Sequence, residues 1–433
     1  MLAAQQQPVW PDPARLAAVE RQLSAARPIV PVAEIEKLKA AMAAAAAGDA
    51  FVLQGGDCAE NFAEANASRI RNKLRTILQM AVILTHGASL PIIKMGRMAG
   101  QYAKPRSDTT ETRNGLTLPV YRGDMVNGFE FTESARTPNP ERLLQAYRIS
   151  AATANVIKAF TQGGYADLRQ VHSWNTGFLT NPTYARYEQI AKEIDRAMRF
   201  MAACGGDDSA FRGTDFYLSH EALILDYERA LTRLDAQSYR LYDTSAHLLW
   251  CGERTRQLDG AHIEFLAQIA NPIAVKLGPT TAPNAAHSLA RTLNPDNEPG
   301  RLTFIIRMGA QQIAERLPPV VKHIRDSGVN VTWMTDPMHG NTITSENGYK
   351  TRRFSDVVAE VRGFFEVHRQ LGTVPGGLHM ELTGDDVTEV LGGSGSIDEA
   401  ALARRYETLV DPRLNHEQSL EIAFLVSEML QAK

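Results

Sequence analysis

Short apolar runs alternate along the chain with longer stretches in which apolar residues return every three or four positions. The first run, Ala50 to Leu53, breaks into Gly55 and Gly56 and then delivers Asp57, Cys58 and Glu60. That pattern predicts a buried strand whose C-terminal end carries chemistry and feeds a helix. The helix follows at Asn66 to Thr85, where Ile70, Leu74, Ile77, Leu78, Ala81 and Leu84 share a face and Gly87 is the expected C-terminal cap. A second run, Leu90 to Met95, ends at Gly96 and Arg97 and leads into a polar loop with Lys104, Arg106 and Ser107.

From Phe216 the rhythm becomes regular. Phe216 to Glu221 ends in His220 and Glu221, Ala246 to Arg256 ends in Glu253 and Arg254, and Pro272 to Thr280 carries Lys276. Leu302 to Ala310 carries Arg307, Val331 to Thr342 carries Asp336 and His339, and Gly377 to Asp385 carries His379, Glu381 and Asp385. Helical patterns fill most intervals, clearest at Ile313 to Gly328 and Phe354 to Leu371. Eight apolar strands alternating with helices, each ending in polar residues, predict an α/β chain folded as a (β/α)8 TIM barrel, because such a barrel builds its active site from several strand ends. A doubly wound sheet is the rival, but no convincing GxGxxG turn follows the first strand.

Two segments fall outside the rhythm. Residues 1–49, with Pro8, Pro11 and Pro13 and helical patterns at Arg15 to Ala26 and Val32 to Ala47, are expected to form an N-terminal extension or arm. The catalytic barrel would then occupy residues 50–433, with a helical insertion after the second strand at about 108–215. Within it, helices are expected near Pro140 to Phe160 and Thr183 to Ala203, and Arg122 to Gly128 (RGDMVNG) reads as a turn-rich loop rather than an adhesion motif.

Composition narrows the classes. The 433 residues are 44% hydrophobic and 22% charged with a net charge of -3, which leaves no electrostatic footprint for nucleic acid, and no apolar run is long enough to suggest a membrane span. The N-terminus lacks a basic stretch followed by an apolar core, so a cytoplasmic protein is expected. Cys58, Cys204 and Cys251 make no disulfide framework; a special cysteine here would be a ligand or a nucleophile. Small molecules and copies of itself are the expected partners.

Closing the strands into a barrel would bring Cys58, Arg97, Glu221, Glu253, Lys276, Arg307, His339 and Glu381 to one mouth. Thiolate, imidazole and carboxylate together suit a borderline divalent cation such as Mn, Fe, Co or Zn better than Mg. Taken singly, Cys58 reads as a packed thiol and His339 as a structural histidine; at independent strand ends together with Glu381 they read as ligands, with a later acid as a fourth. Asp411, before Pro412, is open between a turn former or helix-entry residue and that fourth ligand. Arg97, Lys104, Arg106, Arg254, Lys276 and Arg307 exceed what one carboxylate needs and match phosphate or carboxylate oxygens. Lys276 equally admits a Schiff base without metal, and spacing does not choose between the two.

Taken together and in order, QGGDCAE (Gln54 to Glu60), GRMAGQYAKPRS (Gly96 to Ser107), YRGDMVNGF (Tyr121 to Phe129), SHEAL (Ser219 to Leu223), GERTRQLDGAH (Gly252 to His262), VKLGP, TDPMHGNT, GGLHMELTG and DPRLN strongly resemble the type II 3-deoxy-D-arabino-heptulosonate 7-phosphate (DAHP) synthases. The likeness runs from about Pro28 to the C-terminus. It implies a metal-dependent condensation of phosphoenolpyruvate with D-erythrose 4-phosphate and water, releasing phosphate, at the head of the shikimate pathway. By motif the metal, Mn2+ or Co2+ first and Zn2+ or Fe2+ next, would be held by Cys58, His339, Glu381 and Asp411. Arg97, Glu253, Arg254, Lys276 and Arg307 would hold phosphoenolpyruvate, and Lys104, Arg106 and Ser107 erythrose 4-phosphate, with Glu253 and Lys276 positioning the attacking water. The resemblance also implies a homo-oligomer, a dimer or tetramer, with chorismate mutase as a partner. The prelude is short beside longer members of the family, which leaves feedback by aromatic amino acids, and a role in primary or secondary aromatic metabolism, open.

Overall fold

A computed structural model describes residues 2–163, 182–203 and 213–431. Each of the eight expected apolar runs forms a strand: β1 (Phe51–Gly56), β2 (Ile92–Arg97), β3 (Tyr217–Glu221), β4 (Leu248–Cys251), β5 (Ile273–Leu277), β6 (Leu302–Ile306), β7 (Thr332–Thr335) and β8 (Gly377–Glu381). All pair in parallel with their sequence neighbours, and β1 pairs with β8 to close the barrel. The register sets Gly56 of β1 between Arg97 of β2 and Glu381 of β8, so three strand ends meet at one level.

Alternation along each strand sorts the core into two layers. Val52, Ile93, Met95, Leu248, Trp250, Ala274, Ile305 and Met334 point inward and form one cluster, which also contains Leu38, Met42 and Ala45. Those last three lie on α2 (Val32–Ala47), which therefore closes the barrel at its N-terminal end, while α1 (Pro13–Ser24) packs with other elements through Val19 and Leu23. The outward residues Phe51, Leu53, Leu249, Val275, Phe304 and Trp333 pack against the surrounding helices.

The helices of that outer layer include α3 (Ala67–Ala88), α4 (Glu141–Gln162), α5 (Pro182–Ala203), α6 (Ile313–Asp326), α7 (Phe354–Leu371) and α8 (His416–Gln431). None of the described helices is long and apolar enough to cross a membrane. A hairpin at 110–119, a short helical turn at 133–136 and helices α4 and α5 lie between β2 and β3. Residues 164–181 and 204–212 of the expected insertion, Cys204 among them, lie outside the described residues.

One expectation is corrected. Gly87 does not cap α3; the helix runs on to Ala88, and Ser89 takes the left-handed cap conformation, its N–H bonded to the Thr85 carbonyl. Gly87 is needed for packing, because a Cβ there would lie 1.6 Å from Ser427 Oγ of α8. Sequence alone places a glycine near a helix end at its cap; only the neighbouring helix reveals the contact.

Candidate active site

The C-terminal ends of the strands surround a cleft of about 560 Å3. Cys58, Arg97, Lys104, Arg106, Ser107, Glu221, Glu253, Arg254, Lys276, Arg307, His339 and Asp411 all line it. Glu381 lies just beneath, fully buried.

Cys58 follows β1 after Gly56, whose φ of +150° and contact with the Arg97 carbonyl exclude a side chain. The turn that presents Cys58 is held on both flanks. Asp57 is buried between Lys73 and Arg413, and although burial opposes ionisation, these cations hold its carboxyl below the ordinary range. Glu60 accepts hydrogen bonds from the N–H groups of Ala99, Gly100 and Gln101 at 3.0, 3.0 and 2.9 Å, tying the loop after β1 to the loop after β2. Arg413 also clamps the loop that carries Asp411, through Asp57 at 2.9 Å and Glu389 at 2.8 Å. Local spacing gives Asp57 and Glu60 no partners; in the fold both build the walls beside Cys58.

The thiol of Cys58, the imidazole of His339 and the carboxylates of Glu381 and Asp411 offer ligand atoms within 4.8 Å of one another. Burial and the nearby Asp411 and Glu381 charges push the Cys58 thiol up from its ordinary value, so a bound cation is what would ionise it. His339 Nδ1 lies 2.7 Å from Asp336 Oδ2, which leaves Nε2, 3.0 Å from Glu381 Oε1, as the ligand nitrogen. Arg352, itself fully buried, pairs with Glu381 Oε2 at 2.7 Å and orients the carboxylate. Softness, donor number and orientation all fit a borderline divalent metal.

The cations form the opposite wall. Arg97 is 2% exposed, stacks 5.2 Å over the Trp250 ring, and donates to the Cys58 carbonyl at 3.0 Å and to Glu381 Oε1 at 3.3 Å. Its remaining direction is set from inside the barrel. Gln54 donates Nε2–H to Ser219 Oγ at 2.9 Å, so its Oε1 accepts from His379 Nδ1 at 2.7 Å, and His379 Nε2 accepts from Arg97 Nη1 at 2.7 Å. Burial, with Lys276 and Arg97 close by, keeps His379 neutral, as that chain requires.

Lys276, on the inward face of β5, donates to Asp336 Oδ2 at 2.7 Å and lies 3.4 Å from His339 Nδ1. Burial lowers the Lys276 ammonium against the pull of Asp336; Asp336, despite its own burial, is held well below the carboxylate range by His339 and Lys276. Arg307 donates to the His339 carbonyl at 2.8 Å. Lys104 reaches Cys58 Sγ at 2.7 Å and contacts Asp411, and Arg254 donates to Ser107 Oγ at 2.9 Å. The two expected substrate sets therefore meet across one cleft.

Glu253 accepts from the Gly278 N–H at 2.7 Å and from Arg256 at 2.5 Å. No hydrogen bond joins it to Lys276, so the pair would act from separate positions around a ligand. Among the described residues the Oε1 atom of Glu221 is buried without a hydrogen-bond partner, and burial raises that carboxyl against the pull of Lys276, His339 and Arg97. Asp336, Arg352, Lys350 and His379 are the residues to which sequence reading gave no role. Asp336 and His379 were visible at strand ends, whereas Lys350 and Arg352 sit on a hairpin at 342–352 that no periodicity marks.

The sequence profile described as the Class-II DAHP synthetase family matches residues 1–427. A Streptomyces coelicolor protein named phospho-2-dehydro-3-deoxyheptonate aldolase is 58% identical over 429 residues, covering 99% of this chain and 95% of that protein. One from Mycolicibacterium smegmatis, named phospho-2-dehydro-3-deoxyheptonate aldolase AroG, is 53% identical over 434 residues, with 99% and 93% covered. The solved structure of phospho-2-dehydro-3-deoxyheptonate aldolase from Francisella tularensis SCHU S4 superposes with a TM-score of 0.50 at 11% identity over 99% of this chain and 98% of that one, a likeness of fold alone. With its profile spanning nearly the whole length and relatives more than half identical along it, this chain belongs to the Class-II DAHP synthetase family.

Proposed function

We propose that the chain condenses phosphoenolpyruvate with D-erythrose 4-phosphate and water to give DAHP and phosphate, the first step of the shikimate pathway. The observation that carries this reading is a thiol, an imidazole and two carboxylates within 4.8 Å of one another, facing a cleft lined by Arg97, Lys104, Arg106, Arg254, Lys276 and Arg307. So many cations around one cleft, with Arg97 and Lys276 buried, are unfavourable unless anions neutralise them, and two phosphorylated substrates supply those anions.

Cys58, His339, Glu381 and Asp411 hold the divalent metal, Mn2+ or Co2+ in first place, which when bound supplies a Lewis acid for the aldehyde carbonyl. Arg97, Arg254, Lys276 and Arg307 bind the carboxylate and phosphate of phosphoenolpyruvate and turn C3 of its double bond toward the aldehyde. Lys104, Arg106 and Ser107 hold the phosphate of erythrose 4-phosphate. As the C3–C1 bond forms, positive charge develops at C2 of the phosphoenolpyruvate unit. Glu253 orients a water there and takes its proton as the water oxygen bonds to C2, while Lys276 fixes the carboxylate beside it. The C2–O bond to phosphate then breaks as the C2 hydroxyl becomes a ketone, its proton leaving with the phosphate and the proton on Glu253 passing to the former aldehyde oxygen.

The ion pair with Asp336 holds the Lys276 ammonium in the cleft beside the anion-binding arginines, which serves this role. We also assign residues 1–49 to an arm, 50–433 to one catalytic barrel with an insertion at about 108–215, and the protein to the cytoplasm as a homo-oligomer, with chorismate mutase as a partner. Among the described residues Cys58 and Cys251 are buried and free, in keeping with a reducing compartment.

Phosphate release from the two substrates, followed with and without chelator and with Mn2+ or Co2+ restored, tests the reaction. Release that chelator abolishes and either metal restores is expected. No release under any metal condition overturns it, and borohydride trapping of Lys276 with substrate would return the Schiff-base route.

A further inference from the structure

The N-terminal segment reaches the opposite end of the barrel from α2. Ala3 pairs with Gly260 and its carbonyl accepts from the Ala261 N–H at 3.0 Å, in the loop that follows Glu253 and Arg254. Gln7 donates to the Leu223 carbonyl at 2.8 Å and accepts from the Leu225 N–H at 3.1 Å, in the loop that follows Glu221. Between these anchors Gln6 takes a left-handed φ of 62°, a conformation non-glycine residues adopt at a cost, so the surrounding contacts must hold it there.

That conformation directs Gln6 into the third loop. Its Oε1 accepts from the Arg106 N–H at 2.8 Å, and its carbonyl accepts from Arg122 Nη1 at 3.2 Å. Arg122 belongs to the Arg-Gly-Asp sequence, which forms the bed of the same loop. The Arg122 carbonyl accepts from the Lys104 N–H at 2.9 Å, and the Met125 N–H bonds to the Tyr102 carbonyl at 3.0 Å. A Cβ on Gly123 would lie 2.2 Å from that carbonyl, which explains a glycine at φ +99°. Among the described residues Arg122 has no carboxylate partner; the charge that faces it is Arg106. Neutral oxygens of Gln6 thus hold two neighbouring arginines in place without cancelling the positive charge that a phosphate would use.

We propose that Gln6 and Arg122 are positioning residues for the erythrose 4-phosphate subsite: residues 2–7 form a strap across the three loops that carry Glu221, Glu253 and Arg106, and Gln6 sets the backbone of Arg106. The proposal rests on the reaction assigned above. Neither residue touches the reacting atoms; both act through the Lys104–Ser107 loop.

Steady-state kinetics of Gln6→Ala, Gln6→Glu and Arg122→Ala beside the unaltered chain test it. Loss of one such hydrogen bond is worth roughly 3- to 10-fold in binding. Gln6→Ala and Arg122→Ala are therefore expected to raise KM for erythrose 4-phosphate about 3- to 10-fold while kcat and KM for phosphoenolpyruvate stay near their original values. Gln6→Glu, which keeps the acceptor but adds a negative charge between Arg106 and Arg122, raises the same KM instead of restoring it, and the double variant Gln6→Ala/Arg122→Ala raises it further because the two substitutions remove different hydrogen bonds. Equal rises in both KM values, or unchanged kinetics with only a lower melting temperature, overturn the strap. Absence of turnover in the unaltered chain overturns the assigned reaction and the proposal with it, so the two failures are distinct.

Discussion

Gly87 offers a test in which the sign of the effect, and not only its size, is set by the structure. The residue is inside α3, and a Cβ added there lies 1.6 Å from Ser427 Oγ and 2.8 Å from Ser427 Cβ, with only the flexible Gln431 amide next at 3.3 Å. Alanine in a helix interior is worth about 1 kcal/mol over glycine. Overpacking of a closely fitted contact costs about 1–3 kcal/mol. Gly87→Ala alone is therefore expected to destabilise by about 0–2 kcal/mol. In a Ser427→Gly background both obstructing atoms are gone, the collision term vanishes, and the same substitution stabilises by about 1 kcal/mol. Urea midpoints of the four proteins, compared at constant m, give the cycle. Ser427 lies in the last turns of α8, whereas Asp411 lies in the loop before that helix begins, so activity per folded molecule is expected to be unchanged. If Gly87→Ala destabilises by the same amount in both backgrounds, the glycine serves a local backbone need and the packing explanation is wrong.

Other predictions concern the cleft. Glu253→Gln should lower kcat by roughly 10²-fold or more with little change in either KM, since it removes a proton acceptor and keeps the shape; unchanged kcat would remove Glu253 from the water-positioning role. Asp336→Asn should weaken Co2+ or Mn2+ binding, read directly by metal titration, about 10- to 100-fold, because His339 loses the carboxylate that orients it; an unaltered affinity counts against that orientation. Glu360 accepts from the Met308 and Gly309 N–H groups next to Arg307, and burial raises its carboxyl to about 7 from 4.5. A raised native value means the folded protein keeps a proton that the unfolded chain has lost. Its contribution is complete below pH 4.5 and falls by about 1.4 kcal/mol per pH unit until the pH passes about 7. Urea midpoints of Glu360→Gln should lack that slope, and parallel pH profiles for the two proteins would exclude it.

The periodic runs were enough to predict all eight strands and several of the helices around them, because burial on both faces forces continuous apolar strands and a single apolar face forces a spacing of three to four. Phe354–Leu371 forms a helix over the same residues the spacing marks. Cys58, Lys276, Arg307 and His339 were legible as candidates because a charged or reactive group at the end of an apolar strand has no local reason to be there. What the chain alone could not disclose were partners distant in sequence. Arg352 carries no pattern, yet it is wholly buried against Glu381; Asp57 meets Arg413, and Gln54 orients Arg97 through His379. Local spacing records which way a side chain points relative to its own element, and says nothing of what another element brings to meet it. Closure of the barrel, which sets β8 beside β1, is the step that turned separate strand ends into one cleft.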